Sequence, residues 1–381
     1  MEIGSVYEIN PQSITTIDDK TVGGVKLSEV NKYDKKNMIY TASGREAIAL
    51  ALYSIEKEYP DICKKCFMPA YMCDTVFIPF VQRGWELQFY HIGKDMKADK
   101  SELERLLATE YSGVFFLHPY YGVDTWKELR PLLYKYQKQG LLLMEDVTQS
   151  YYLDIDARAD YIVGSLRKWY AIPDGGFVVT NHKLHTDAVE TDEVLPMERL
   201  DMQIKKWNYL REINEIALDE NRKQELHTVK QEYLTANRML EDRLDRFTKI
   251  TDISKVSKEF LKDGNEEVCK HRRNENCHIL LEGLKNRKTV FPILEEAIEN
   301  AAPLYFPVYM IHRDELQQYL REQDIYVPVL WPVGKENEAC LSEEEQYIYA
   351  HIAAIPMDQR YGKEDMQRII SVISEYEEKY G

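Results

Sequence analysis

Lys168 is the residue of this sequence whose type and position point most directly to chemistry. It stands in a tight turn between two apolar stretches, residues 161–163 and 176–180, where a surface lysine is seldom placed. A desolvated amine near positive charge loses its proton more readily, and a neutral amine attacks carbonyl carbons. Ser165, three residues earlier, adds a hydroxyl that can donate to an anion. The segment therefore predicts a nucleophilic lysine.

Two adjacent carboxylates, Glu145 and Asp146, follow the apolar run of residues 141–144. A carboxylate at the end of a buried strand is costly unless a cationic group faces it. Since neighbouring residues of a strand point to opposite sides, only one of the two faces a given partner. A protonated heterocyclic nitrogen is one such partner, and a solvated strand end is the alternative interpretation.

Three other segments place polar or aromatic residues where a ligand could bind. Ser43, Gly44 and Arg45 open a run of good helix formers, and free amides at a helix start hold anions, typically phosphate. A plain helix cap is the alternative there. Tyr71 suits the cover of a flat ring and His118 suits a pocket wall, although each is by itself also typical of a packed core.

Short apolar strands separated by helical patterns run from about residue 41 to residue 183. This alternation predicts crossover units and a largely parallel sheet covered on both faces, an α/β fold in which ligands bind where strands end and helices begin. From about 198 to 285 the sequence becomes charged and helical, and strands return after 303. We predict an N-terminal segment (1–40), a large α/β domain (41–240) and a smaller C-terminal α+β domain (241–381).

Charge and hydropathy exclude several classes of partner. The 381 residues carry 49 Lys and Arg against 65 Asp and Glu, a formal net charge of −16, so the chain as a whole repels phosphate backbones and we expect no nucleic-acid partner. No apolar run approaches the ~20 residues of a membrane helix, and no cationic segment followed by an apolar one opens the chain. We expect no membrane partner and a cytoplasmic location.

The six cysteines predict reduced thiols. Cys63 and Cys66 form a CxxC pair, but no second pair follows at the spacing of a zinc site. We therefore expect neither a metal site nor a disulfide framework.

Four of these segments, in this order along the chain, resemble the pyridoxal-phosphate (PLP) enzymes of fold type I. The pattern is most similar to the DegT/DnrJ/EryC1/StrS group, which includes the nucleotide-sugar aminotransferases. The matching segments are the helix start at Ser43, the His118 segment, the Glu145-Asp146 strand end, and Ser165 with Lys168 before a Gly-Gly strand. Lys168 lies 22 positions after Asp146 (168 − 146 = 22), and the similarity extends to the C-terminal helix, including residues 355–362.

The resemblance implies roles for the residues singled out. Lys168 would form the aldimine with the cofactor aldehyde and then shuttle a proton, while Asp146 would pair with the pyridinium nitrogen so that the ring accepts electrons. The implied cofactor-binding residues are Ser43, Gly44, Arg45 and Ser165 at the phosphate, Gln149 near the phenolic oxygen, Tyr71 as the stacking ring, and His118.

The resemblance also implies a fold type I architecture and an activity. The architecture is a large domain with a mostly parallel, seven-stranded type of sheet between helices, a smaller C-terminal domain, and a homodimer with the active site at the subunit interface. The activity is that of a PLP-dependent aminotransferase, which takes nitrogen from an amino acid donor and gives it to a keto acceptor, with a nucleotide-linked keto sugar as one candidate.

We also expect Arg360 to bind a substrate carboxylate, because a planar guanidinium suits bidentate binding of a carboxylate. The alternative is a surface arginine that caps the turn before the last helix.

Two alternatives to the transaminase remain open. A sulfur-transferring lyase or desulfurase needs a reactive cysteine on a late loop, where Cys340 lies between acidic residues. A PLP-binding protein without turnover is the other. The sequence departs from the sugar enzymes at Leu166-Arg167, where they place a histidine before the lysine, and in residues 200–240, which lack a clear Asn-Tyr-Arg-Met segment.

Overall fold

A seven-stranded sheet forms the core of the larger part of the molecule. The computed structural model describes residues 2–12, 33, 35–154, 158–214, 219–263, 266–298 and 300–380. The strands of this sheet are β1 (Asn37–Thr41), β2 (Lys65–Pro69), β3 (Glu86–Tyr90), β4 (Val114–Leu117), β5 (Leu142–Asp146), β6 (Tyr161–Ser165) and β7 (Gly176–Thr180). Their order is β1-β7-β6-β5-β4-β2-β3.

Only β7 runs against the other strands of this sheet. It pairs antiparallel with β1 and β6, and all other neighbours are parallel. Strands β4 to β7 are buried along their whole length, which explains why their sequences are continuous apolar runs rather than alternating patterns. The predicted largely parallel α/β sheet is confirmed.

Helices follow most of the parallel strands and cover the faces of the sheet. They are α1 (Gly44–Glu58), α2 (Ile78–Gln82), α3 (Lys100–Thr109) and α4 (Arg130–Gln137). Helix α1 packs on β6 and β7, and all of its residues from Glu46 to Leu52 are buried, since small and apolar residues occupy every side of this stretch after Glu46. The first turn of α1 therefore lies beside the carboxyl end of β6.

Two long charged helices follow the sheet, α5 (Val194–Ile213) and α6 (Glu220–Asp245), and pack on each other. A short parallel pair, β8 (Val189–Glu190) with β9 (Ile250–Thr251), lies beside them. The Ala42 amide donates to the Thr251 carbonyl oxygen at 2.9 Å, so β9 braces the turn before α1. The predicted domain boundaries fall inside β1 and α6, and the division of the chain into domains stays a prediction.

A second, smaller sheet belongs to the C-terminal part of the chain. The remaining elements are α7 (Lys255–Phe260), α8 (Glu266–Leu284), β10 (Val290–Pro292), α9 (Glu295–Ile298), β11 (Phe306–Met310), α10 (Arg313–Glu322), α11 (Glu343–His351), β12 (Ile352–Ile355) and α12 (Lys363–Tyr380). Strands β10, β11 and β12 form an antiparallel sheet in this order, and α8 packs against α12. The predicted α+β character of the C-terminal part is confirmed.

Two features are absent from the described ranges. No helix in them combines the length and the apolarity that crossing a membrane requires. The same ranges contain no group of three or more His, Cys, Asp or Glu side chains arranged to hold a metal ion.

Candidate active site

The carboxyl ends of three neighbouring parallel strands bring the predicted residues together. His118 directly follows β4, Asp146 ends β5 and Ser165 ends β6, and Lys168 closes the single helical turn Leu166–Lys168 that comes next. These four residues line one small cavity of about 50 Å³. Parallel strands place their carboxyl ends at one edge of the sheet, which is where ligands bind in such folds.

Asp146 is a buried carboxylate that the chain holds in its ionised form. Its Oδ1 accepts from the Thr148 amide at 2.9 Å, and its Oδ2 lies 3.3 Å from His118 Nδ1. Burial acts to raise the pKa of Asp146, but the His118 ring and the Thr148 hydrogen bonds outweigh it and lower this pKa below its usual value. Asp146 therefore presents a negative charge to the cavity.

Glu145, the neighbouring carboxylate, is neutralised within the chain. Its Oε1 and Oε2 accept from the Arg130 guanidinium at 2.7 and 3.1 Å, and its side chain is fully buried. The two carboxylates thus serve different partners, Arg130 and His118, as expected from strand alternation. Only Asp146 is left to meet a cationic ligand.

The Lys168 amine is shifted toward its neutral form. Burial lowers the pKa of Lys168, and the positive charges of Arg167 and Arg45 lower it further, against the opposing influence of Cys73 and Asp146. A larger fraction of the amine is then unprotonated near neutral pH, which is the state that attacks a carbonyl carbon.

The start of α1 packs closely against the ends of β6 and β7. Ser43 is its N-cap: its Oγ accepts from the Glu46 amide at 3.3 Å and donates to Glu46 Oε2 at 2.6 Å, so the hydroxyl is already used in capping. A Cβ on Gly44 would lie 3.4 Å from the Ser165 Cβ, and one on Gly176 would lie 2.3 Å from the Ser43 carbonyl carbon. The backbone of Ser43 lies so close to position 176 that only glycine fits there.

Gly176→Ala should lower the free energy of unfolding by about 2 kcal/mol, because the new methyl group has backbone rather than a flexible side chain in its way. Urea unfolding measures this change. Gly362→Ala is the matched control, since only the tip of Arg272, at 3.6 Å, lies near that site. Equal effects of the two substitutions would contradict the close approach.

His118 and Trp331 supply the aromatic surfaces of the small cavity. The His118 side chain is 1 % exposed, and its Nε2 has no hydrogen-bonding partner among the described residues. The Trp331 ring meets it at a tilt of 66° with 5.9 Å between centroids. Sequence reasoning missed Trp331, for which the only signal was a Trp-Pro pair after the apolar run of residues 326–330.

Tyr71 lies behind Trp331 rather than in the lining of the small cavity. Its ring centroid is 5.3 Å from that of Trp331 and 5.5 Å from that of Tyr120, and its hydroxyl contacts the Leu330 carbonyl oxygen and the Tyr121 hydroxyl. Its predicted role as the stacking ring stays a prediction.

A larger cavity of about 800 Å³ adjoins the small one, and Lys168 lines both. Gln149 lines the larger one, where its Oε1 accepts from the Tyr121 amide at 3.2 Å. Cys73 and Trp331 line both cavities.

Arg360 lines the larger cavity, but its guanidinium is committed to the chain. Nε and Nη2 donate to Asp358 at 2.8 and 2.9 Å, and Nη1 donates to Glu8 at 3.0 Å. The remaining N–H groups donate to the carbonyl oxygens of Ser5 and Val6. All five donors are thus used, so binding a substrate carboxylate, which stays a prediction, would require an exchange of partners.

Asp174 fixes the loop between Lys168 and β7. Its carboxylate accepts from the Ser254 amide at 2.8 Å, from Ser254 Oγ at 2.6 Å and from Ser257 Oγ. Burial raises the pKa of Asp174 to about 6, although these hydrogen bonds act to lower it. The loop that carries Lys168 is therefore tied to the start of α7 by a carboxyl group that titrates in an accessible range.

The raised pKa of Asp174 predicts a dependence of stability on pH. An unfolded Asp titrates near ~3.9, so between about pH 4 and pH 6 the folded state keeps a proton that the unfolded state has released. The contribution of Asp174 to the free energy of unfolding should therefore fall as the pH rises through this window, by up to about 3 kcal/mol. Urea unfolding of the parent and of Asp174→Asn from pH 4 to 7 measures it, and parallel curves for the two proteins would contradict the assignment.

Solved structures show what this architecture is similar to. No family model matches the chain, and no curated protein matches it in sequence. PseC of Helicobacter pylori, an aminotransferase involved in the biosynthesis of pseudoaminic acid, has a TM-score of 0.67 at 13 % identity, covering 100 % of both chains.

Three further structures agree with this comparison. NtdA of Bacillus subtilis, with bound cofactor PMP, has a TM-score of 0.66 at 14 % identity over 97 % of this chain and 83 % of its own. The sugar aminotransferase CalS13 of Micromonospora echinospora has a TM-score of 0.60 at 15 % identity over 98 % of this chain and 100 % of its own. A DegT/DnrJ/EryC1/StrS aminotransferase from Brucella abortus, at 14 % identity, has a TM-score of 0.60. The predicted fold is confirmed: the chain has the fold of these aminotransferases.

Proposed function

We propose that this chain is a PLP-dependent aminotransferase that moves an amino group from an amino acid to a keto acceptor, a nucleotide-linked keto sugar. The observation that carries the proposal is one cavity at the carboxyl edge of the sheet, lined by both Lys168 and Asp146. A lysine with a lowered pKa and an ionised, buried aspartate are the two groups that this chemistry needs on either side of a pyridine ring.

The other residues of the cavity fit PLP. His118 Nε2 is buried without a partner among the described residues, so a polar ligand would satisfy it. Gly44 and Ser165 lie together at the start of α1, where helix amides and a hydroxyl suit a phosphate group. Arg45, from the same first turn, adds positive charge.

When bound, PLP supplies an aldehyde that condenses with amines and a ring that accepts electron density from the substrate carbon. Lys168 would hold the cofactor through Nζ and, once the donor's amine takes its place, would take up and return a proton at Nζ. The lowered pKa of Lys168 favours this role, because the amine must be neutral to accept a proton near neutral pH.

Asp146 would keep the ring nitrogen protonated by accepting a charged hydrogen bond from it. The Thr148 amide holds the carboxylate in place, and the His118 ring, with Nδ1 3.3 Å from Oδ2, helps to keep it ionised, so little reorganisation is needed. The Trp331 ring packs against His118 and adds apolar surface to the lining, which limits the access of water.

The comparisons support the choice of reaction and acceptor. PseC and CalS13 are described as aminotransferases, CalS13 acts on a sugar according to its description, and NtdA is described with bound PMP. Among the alternatives, the desulfurase is expected to use Cys340, but Cys340 is exposed in the turn Glu338–Cys340 and lines neither cavity. The thiol that lines both cavities is that of Cys73.

Absorbance spectroscopy tests the proposed function. The purified protein loaded with PLP should absorb visible light, and L-glutamate should bleach that band as nitrogen passes to the cofactor. Adding a nucleotide-linked keto sugar should then restore the band. A band that no amino acid bleaches would favour a cofactor-binding protein without turnover.

We further propose a cytoplasmic homodimer with the active site at the subunit interface. The six cysteines, all in the described part of the chain, form no disulfide with one another, which suits a reducing compartment. The larger cavity is broad, at about 800 Å³, so a second subunit has room to complete it. Light scattering should give twice the chain mass of 44.9 kDa, and a monomer that bleaches with glutamate would contradict the shared site.

A further inference from the structure

One wall of the larger cavity carries polar groups that the proposed chemistry does not use. Arg199 and Gln203 lie one turn apart on α5, and each is only 4 % exposed. Glu241 of α6 faces them and lines the same cavity. This wall is distinct from the small cavity, whose lining includes Ser165 and Asp146 but neither of the two α5 residues.

Arg199 has hydrogen-bonding capacity to spare. Its Nη1 donates to Glu241 Oε1 at 2.7 Å, and the same oxygen accepts from Arg167 Nη1 at 2.9 Å. Arg199 Nη2 is buried and has no partner among the described residues. Since buried donors are nearly always satisfied, this one is available to a ligand.

Gln203 offers the complementary group. Its Nε2 donates to the Ile172 carbonyl oxygen at 3.4 Å, which orients the amide. Its Oε1 is buried and, among the described residues, has no partner. The wall thus presents one charged donor and, one helical turn away, one acceptor.

Positive charge is in excess around this wall. Among the described residues, the guanidinium groups of Arg45, Arg167 and Arg199 form salt bridges with two carboxylates, those of Glu241 and Asp245. Burial and the charge of Arg167 together lower the pKa of Arg199 to about 10, although Glu241 acts to raise it. A negatively charged group bound here would relieve this repulsion.

We propose that Arg199 and Gln203 form a substrate subsite for an oxyanion with a neighbouring N–H or O–H group. Arg199 Nη2 donates to the oxyanion, and Gln203 Oε1 accepts from the neighbouring donor. The inference rests on the proposed function for the reacting end of the substrate, because Lys168 lines the same cavity. The oxyanion comes either from the side-chain carboxylate of an acidic amino donor or from the phosphate of a nucleotide-linked acceptor.

Binding measurements on the PLP-loaded protein test the subsite and separate the two sources. L-glutamate and L-alanine are titrated by loss of the visible band, uridine diphosphate by calorimetry, and PLP itself against the apoprotein. The variants are Arg199→Gln and Arg199→Lys, with Lys205→Gln as the matched control, since Lys205 is an exposed cation of the same helix.

Arg199→Gln should weaken the binding of either glutamate or uridine diphosphate by about 10- to 100-fold. The affinities for alanine and PLP should change by less than about two-fold. Arg199→Lys should restore part of the loss, and Lys205→Gln should change nothing. A glutamate effect assigns the subsite to the donor, and a uridine diphosphate effect assigns it to the acceptor. If circular dichroism shows that Arg199→Gln is misfolded, Gln203→Leu replaces it and should weaken the binding of glutamate or of uridine diphosphate.

Three results would overturn the proposal. They are a parent protein that binds neither glutamate nor uridine diphosphate, unchanged affinity for both probes in the variants, and a loss of PLP affinity as large as the loss for the probe. The last result would assign Arg199 to the cofactor phosphate. Failure of the proposed function itself would appear differently, as a parent protein without a visible band, and uridine diphosphate binding to the apoprotein would still test the subsite.

Discussion

Lys168→Ala should abolish the visible absorbance of the PLP-loaded protein and lower the rate of amino transfer by at least about 10²- to 10⁴-fold. The substitution removes both the covalent attachment and the group that moves the proton at the substrate carbon. Spectra of the variant mixed with PLP, and single-turnover rates with L-glutamate, measure the two effects separately.

Lys183→Ala controls for the loss of a lysine as such, because Lys183 is exposed, follows the end of β7 and lines neither cavity. It should retain the band and the parent rate. Lys168→Ala should keep the parent's far-ultraviolet circular dichroism, because the lysine takes no part in the core. A Lys168→Ala protein that still shows the band would mean that another amine holds the cofactor.

Asp146→Ala should keep the visible band but lower the rate of amino transfer by about 10²- to 10³-fold. Without the carboxylate, the ring nitrogen loses its charged hydrogen-bonding partner, and the ring then accepts electrons less well. The His118 ring also loses its contact at 3.3 Å, so the band should shift with pH differently from the parent's. Stopped-flow bleaching by L-glutamate measures the rate.

Asp146→Asn separates charge from shape. The amide preserves the side-chain volume and an acceptor for the Thr148 amide, but it carries no negative charge. It should therefore lose rate as strongly as the alanine variant. If Asp146→Asn turned over at the parent rate, the carboxylate would not be the partner of the ring nitrogen.

The centre of the site could be predicted from the sequence because its positions are set locally. Asp146 ends a buried parallel strand, and Lys168 follows the next one, so their meeting at one sheet edge follows from strand direction alone. The fold class followed from the same alternation of strands and helices.

The rest of the site could not be predicted because distant segments supply it. Trp331 comes from an irregular stretch between α10 and α11, where no periodicity fixes the direction of a side chain. Arg199 and Gln203 come from α5, whose charged sequence is equally typical of a solvated surface helix. Tyr71 stands at the expected strand end, but its ring packs in an aromatic cluster with Tyr120, which depends on tertiary packing.

Arg360 illustrates the same limit. The Arg360 guanidinium suits a carboxylate, but Asp358 and Glu8 of the chain itself pair with its charge. Glu8 lies about 350 positions away in sequence, and no local pattern reveals such a contact.

Borohydride reduction followed by peptide mapping tests the central claim most directly. Reduction fixes the bond between the cofactor and its lysine, so mass spectrometry identifies the lysine that carries it. The chain offers a built-in competitor in Lys206, a second buried lysine with a lowered pKa, whose amine lies 3.2 Å from Glu8. We expect the pyridoxyl label on the peptide that contains Lys168, and a label on Lys206 or on any other lysine would contradict the account.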